Sequence, residues 1–227
     1  MRFGLAILTG LFCLSGFAET ASAGDIRGHI EITKSLTRWR LIPQLRDGAW
    51  CLKPEGNSSI DELDRLAIYL EGPGLDSGTP VNAKLVQQRG RFDPEILVVP
   101  VNSTVAFPNA DPIFHNVFSL SKAKQFDLGY YRGGQPRTVR FDKAGVVQVY
   151  CHLHPHMNAA ILVVPSAWYT RPSHDGSFML SGIPQGTYVC VVWHKSAGFL
   201  KRRVELQETG TTSVDLTIPN RDMGRSQ

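Results

Sequence analysis

Seven consecutive residues, Cys151-His152-Leu153-His154-Pro155-His156-Met157, bring a thiol, three imidazoles and a thioether into one short stretch. The stretch follows a strand-like run, Val146-Val147-Gln148-Val149-Tyr150, and precedes another from Asn158 to Val164. A hairpin tip of this content suits a soft metal ion. Thiolate and thioether favour Cu(I), and imidazole serves both oxidation states, so copper cycling between Cu(I) and Cu(II) is the expectation. Two-residue alternation puts Cys151 on the side of Val147 and Val149. His154 comes three residues later, and Pro155 stiffens the turn. Met157 begins an alternating face with Ala159, Ile161 and Val163, which aims its sulfur back toward the same interior.

A blue-copper arrangement of two imidazoles, one thiolate and a weak axial sulfur draws one histidine from elsewhere in the chain. His115 is the candidate. It follows Phe107-Pro108-Asn109-Ala110-Asp111-Pro112-Ile113-Phe114, a loop shaped by prolines, Asn and Asp, and it opens the next strand. Asn116 is placed to tie this loop to the Cys151 loop by a hydrogen bond. His152 and His156 read as loop residues at the edge of the metal, one of them on the surface that electrons cross. Asp127 and Tyr130-Tyr131 fall in a segment expected to cover the site, with no role beyond shape. His29, His174 and His194 are isolated, so a second copper centre of enzymatic type is not expected. No Ser-His-Asp arrangement, zinc motif or phosphate-cradling glycine loop competes. The chain reads as a binding protein and not an enzyme.

These donors need a rigid frame, and the sequence supplies β-strands. Short runs rich in Val, Ile, Thr, Phe and Tyr recur between turn residues, at 26–33, 66–70, 83–88, 95–99, 104–107, 115–120, 138–141, 146–151 and 158–164. This density predicts an all-β sandwich. Residues 36–63 interrupt the rhythm and read as an insertion. After Pro165 a second, smaller antiparallel β unit is expected over 166–220. It has turns at Asp175-Gly176 and Pro184-Gln185-Gly186 and a long strand at 187–193. The tail at 221–227 is polar and expected to fray.

Met1-Arg2, an apolar run from Phe3 to Phe17 and the small residues Ala21-Ser22-Ala23 form a secretory signal over 1–23. The mature chain, from about Gly24, is then exported to the periplasm without membrane insertion. Its formal charge of +4 is too weak and too scattered for nucleic-acid binding. Outside the signal the cysteines are Cys51, Cys151 and Cys190. With Cys151 on a metal, Cys51 and Cys190 remain as a possible bridge, with a buried free thiol at Cys190 as the alternative.

At the Cys-x-x-His-Pro-x-Met loop and the Phe-Pro-Asn-x-Asp…Phe-His-Asn-Val-Phe segment, the chain resembles the cupredoxins. The likeness is to exported plastocyanin- and azurin-like, methylamine-utilisation-like proteins, and it runs over residues 64–165, with residues 24–34 as an added edge strand. The resemblance implies a Greek-key sandwich over 24–165 and one type 1 copper ion, held by His115, Cys151, His154 and Met157. It also implies electron transfer between protein redox partners. Plastocyanin and pseudoazurin space the loop histidine and methionine further apart than the two residues present here. Asp175-Gly176-Ser177-Phe178 and Ile183-Pro184-Gln185-Gly186-Thr187-Tyr188 resemble the carboxypeptidase regulatory-like, or transthyretin-like, domains, which add a small β-sandwich without catalysis. The competing reading is a copper-trafficking or storage module. Beyond the signal only Met157, Met179 and Met223 remain, one of them near the site, which favours the electron carrier.

Overall fold

The computed structural model describes residues 23–33, 36 and 62–219. Nearly all of the expected signal and of the 36–63 insertion, together with Cys51 and the tail, lie outside the described residues. Strands β1 (Ala23–Ile32) and β2 (Leu66–Glu71) come first, with a short 3-10 turn, Glu62–Arg65, leading into β2. Ten strands follow: β3 (Asn82–Lys84), β4 (Val86–Gln88), β5 (Arg91–Asp93), β6 (Ile96–Pro100), β7 (Ser103–Phe107), β8 (His115–Ser121), β9 (Lys124–Tyr131), β10 (Arg137–Phe141), β11 (Gly145–Tyr150) and β12 (Asn158–Val164). The last are β13 (Tyr169–Thr170), β14 (Ser177–Pro184), β15 (Gly186–His194), β16 (Gly198–Leu206), β17 (Thr211–Ser213) and β18 (Leu216–Ile218). Among the described residues no helix is long and apolar enough to cross a membrane.

Four sheets stack with three apolar layers between them, and β4 and β5 form a separate hairpin. The first sheet is ordered β10-β7-β3 and the second β6-β12-β11-β8-β9. Between them lies the core that holds Cys151 and Met157, together with Phe107, Val117, Val147, Val149, Ile161 and Val163. The third sheet is β13-β2-β15-β16, and the fourth is β14-β1-β17 with β18 also on β1. The core between these two is built from Ile26, Ile30, Ile68, Leu70, Cys190, Val192, Leu216 and others. A middle layer joins the second sheet to the third through Ala67, Tyr69, Ile96, Ala160, Leu162, Val164, Val191 and Trp193.

The expected edge strand at 24–34 is a correction. It joins no strand of the first sandwich. β1 pairs antiparallel with β14 and parallel with β17 and β18, and β2 pairs with β13 and β15. Sheet pairing therefore does not divide the chain at 165. The second sandwich is threaded from both sides of the first, and its parallel pairs depart from the wholly antiparallel unit expected. The reason is visible in β2, where Leu66, Ile68 and Leu70 face one core while Ala67 and Tyr69 face another. A strand buried on both faces needs two apolar layers, and only the stacked arrangement supplies them.

The seam between the sandwiches ends in charged groups. Arg65 reaches both oxygens of Glu95, at 2.8 and 3.0 Å, and Lys195 Nζ donates to Glu95 Oε1 at 2.6 Å. His194 is fully buried. Its Nδ1 accepts from the Ser196 and Ala197 amides, and its Nε2 lies 3.1 Å from Glu62 Oε2. Cys190 is a buried thiol with no disulfide partner among the described residues, and burial pushes it up to about 12.

Two outcomes follow from this packing. Leu162→Ala removes a fully buried side chain from the middle layer, so it should cost about 2–5 kcal/mol in a denaturant melt. Burial also holds the His194 imidazole below its ordinary range, against the opposing pull of Glu62. The unfolded chain therefore takes up this proton near pH 6.5 while the folded chain resists it. This contribution to stability is complete above about pH 6.5 and is lost as the pH falls below it. In urea melts across that range, His194→Gln should show a shallower decline than the native chain.

Candidate metal centre

His115 Nδ1, Cys151 Sγ and His154 Nδ1 converge at one end of the first sandwich. The two nitrogens are 3.0 Å apart, and the sulfur lies 4.0 Å from the first and 3.8 Å from the second. Among the described residues this is the group of His, Cys, Asp and Glu side chains compact enough to share an ion, with all donor atoms within 4.8 Å. Cys151 and His115 are buried and His154 is partly so. A trigonal ion bonded at about 2.0–2.1 Å to nitrogen and about 2.3 Å to sulfur separates its ligands by roughly 3.5–3.8 Å. The triangle in place is within about half an ångström of that requirement, so the donor set fits one ion.

Each donor has a local reason to be where it is. β11 ends at Tyr150, and Cys151 continues its inward face after Val147 and Val149. Between His154 and Met157 the chain turns tightly, with the Met157 amide donating to the His154 carbonyl at 2.9 Å. This turn sends Met157 into the core shared with Cys151, where it is 1% exposed. His115 is the first residue of β8, paired with Tyr131 of β9. The structure thus brings His115, Cys151 and His154 together and seats Met157 in the same core.

Asn116 meets the loop twice. Its amide donates to Cys151 Sγ at 3.4 Å, and its side-chain Oδ1 accepts from the His152 amide at 3.4 Å. Its Nδ2 donates to Asp127 Oδ1 at 2.6 Å. The register of β8 against β9 slips between Asn116 and Phe118, where β9 carries an additional residue and Gly129 adopts φ 66°. This bulge lets Asp127 Oδ1 accept from the Gly129 amide as well as from Asn116. The Gly129 amide leads in holding the Asp127 carboxyl below its usual range, with Asn116 and the nearby His152 assisting. A residue read only for shape therefore orients Asn116.

Asp111 was not read from the sequence as part of the site, yet its Oδ2 lies 2.9 Å from His115 Nε2. Its carboxylate also accepts from the amides of Arg89 and Gly90, at 2.7 and 2.9 Å. Those amides belong to a two-residue hairpin between β4 and β5 in which both central residues have positive φ, 55° and 67°. Asn109 shapes the loop by accepting from the Asp111 amide and donating to the carbonyls of Ile113 and Tyr131. Burial raises the Asp111 carboxyl, but the Gly90 amide, His115 and the Arg89 amide together hold it below the usual range. The anion fixes the His115 ring with a hydrogen on Nε2 and leaves Nδ1 as a lone-pair donor. The signal in the sequence was the i, i+4 spacing of Asp111 and His115 in a proline-shaped loop.

His152 is outside the cluster. Its ring lies against Phe118 at a centroid distance of 3.8 Å and 6.5 Å from that of Tyr130. His156 sits 5.9 Å from the His154 ring. Burial, then the charges of His115 and His156, hold His154 below the ordinary histidine range. In metal-free protein His154 should therefore titrate below about pH 6.5, a result read from its ring-proton NMR shifts; His154 titrating at or above that pH would contradict the arrangement.

No family model and no curated protein matches the sequence. Parts of the chain are similar to solved structures. A purple cupredoxin from Nitrosopumilus maritimus is 26% identical over 36% of this chain and 99% of that one, with a TM-score of 0.33. A Cu-containing nitrite reductase from Thermus scotoductus SA-01 is 25% identical over 38% of this chain and 22% of that one, with a TM-score of 0.35. A pseudoazurin from Sinorhizobium meliltoi is 21% identical over 38% of this chain and 76% of that one, with a TM-score of 0.30.

Proposed function

We propose that this chain is an exported type 1 copper protein that carries single electrons between protein partners. In this reading His115, Cys151 and His154 would hold one copper ion, with the thioether of Met157 from the same core as the fourth donor. The observation that carries it is the convergence of two imidazole nitrogens and one thiol sulfur in a largely buried pocket. Thiolate with two imidazoles is the donor set that serves both copper oxidation states, and bound copper would supply one-electron exchange.

The chain's own residues make that exchange easy. His115 opens β8, and the loop that carries Cys151, His154 and Met157 is anchored at both ends by β11 and β12, so little rearrangement would accompany a change of charge on a bound ion. The Asn116 amide, aimed at Cys151 Sγ, withdraws charge from the sulfur and favours the reduced state. Asp111 pulls the other way by making His115 a more basic ligand. His154, kept neutral by its surroundings, presents a lone pair once its Nδ1 hydrogen moves to Nε2. The exposed His152 and His156 lie within the loop, and one of them offers a contact point for a redox partner. Export to the periplasm rests on the Ala21-Ser22-Ala23 pattern. The second sandwich is read as a transthyretin-like unit without chemistry of its own.

Copper(II) added to the mature protein should give an intense thiolate-to-copper band in the visible spectrum and one copper per chain. Cys151→Ser should abolish that band. A fully coloured Cys151→Ser protein would remove Cys151 from the ligand set and the proposal with it.

A further inference from the structure

The second sandwich reaches the end of the metal loop through Lys195. Lys195 directly follows β15, and its backbone amide is fixed by the Arg65 carbonyl at 3.1 Å. Its ammonium, on a side chain only 10% exposed, donates to Glu95 Oε1 at 2.6 Å and to Asn158 Oδ1 at 2.8 Å. Asn158 is the residue after Met157, and its Nδ2 donates to the His156 carbonyl at 3.0 Å. Glu95 closes the figure from its backbone, where its carbonyl accepts the Ala160 amide at 3.0 Å. One cation from the C-terminal half thus ties both ends of the segment 158–160, immediately past the loop. The loop itself has little other cover, since Leu153, Pro155 and His156 are exposed.

We infer that Lys195 is a positioning residue for the metal loop, so that the second sandwich sets the placement of His154 and Met157 through Asn158. The inference rests on the copper reading for its effect on the metal, but the positioning itself concerns this chain alone. His154 and Met157 sit in one turn, joined by the amide-to-carbonyl bond between them, so a shift at Asn158 moves both. A group hydrogen-bonded to a ligand is worth about 10–100-fold in metal affinity, and for Lys195 and Asn158, one bond further out, the lower end of that range is expected. Arg65 offers a comparison. It grips the same Glu95 carboxylate through both oxygens, and so it braces the seam between the sandwiches one step further from the loop.

The test uses the full-length mature chain with Lys195→Met, Asn158→Ala and Arg65→Met, each metal-free and loaded with copper(II). Lys195→Met and Asn158→Ala should alter the visible and EPR spectra in the same way. Both should surrender copper to a chelator about tenfold faster, and the double variant no faster than either. Arg65→Met should lower the melting temperature and keep the native spectrum and release rate. In metal-free protein, the His154 ring and Met157 methyl NMR signals should shift in the first two variants and not in the third. Asn158 is exposed, so Asn158→Ala leaves the core intact and can overturn the inference even if Lys195→Met fails to fold. Native spectra, release rates and NMR shifts in Asn158→Ala overturn the inference. A native chain that forms no thiolate band overturns the copper reading, while the metal-free shifts still decide whether Lys195 positions the loop.

Discussion

β12 is held from both sides, and much of the molecule is arranged around that fact. Ala159, Ile161 and Val163 face the core that contains Cys151 and Met157, while Ala160, Leu162 and Val164 face the layer against the second sandwich. Each large aliphatic side chain so buried contributes about 1.5–3 kcal/mol. A strand with no solvent face past its first residue cannot slide or tilt without opening one layer or the other. Its partner β11 is locked to it over six residue pairs, from Gly145–Val163 to Tyr150–Asn158. The seven residues that join these two strands therefore begin and end on fixed points, and a short loop between fixed points has few conformations left.

The polar groups then finish what the apolar layers begin. His115 is held by an anion that is itself held by two backbone amides from a turn with positive φ. Cys151 receives the Asn116 amide, and Asn116 is oriented by an aspartate made available by a bulge. In each case a backbone irregularity supplies the hydrogen-bond donor, and the donor sets the direction of a side chain one step closer to the site. His154 takes its place from the turn it shares with Met157, which is why the link from Lys195 through Asn158 bears on it.

The donor cluster was legible because its chemistry is local. Three of the four candidate residues fall within seven positions, and alternation along β11 and β12 gave the correct inward faces for Cys151 and Met157. His115 was legible from its loop, since prolines and Asn109 announce a turn before a strand. Asp111 and Asp127 were not, because their value lies in what they accept: amides of Arg89, Gly90 and Gly129 that become available only once a hairpin and a bulge have formed. The placement of β1 was missed for a different reason. Its alternation says that one face is buried but cannot say against which sheet, and the strands that cover it lie more than a hundred residues away in the chain. The unbroken apolar runs at 66–70 and 159–164 did carry a usable sign, since continuous burial implies a layer on each side.

The threading of the second sandwich has a consequence for the order in which the chain assembles. The strands from β3 to β12 find all their sheet partners among themselves, so this half can condense as soon as it is synthesised. β1 leads the described chain yet must wait for its neighbours at Ser177–Pro184, Thr211–Ser213 and Leu216–Ile218. Such distant pairings are slow to form, because the loop they close is long. The outer face of β12 is covered only once β2 and β15 have paired and packed on it, and an apolar strand face of that kind is what chaperones and neighbouring nascent chains meet.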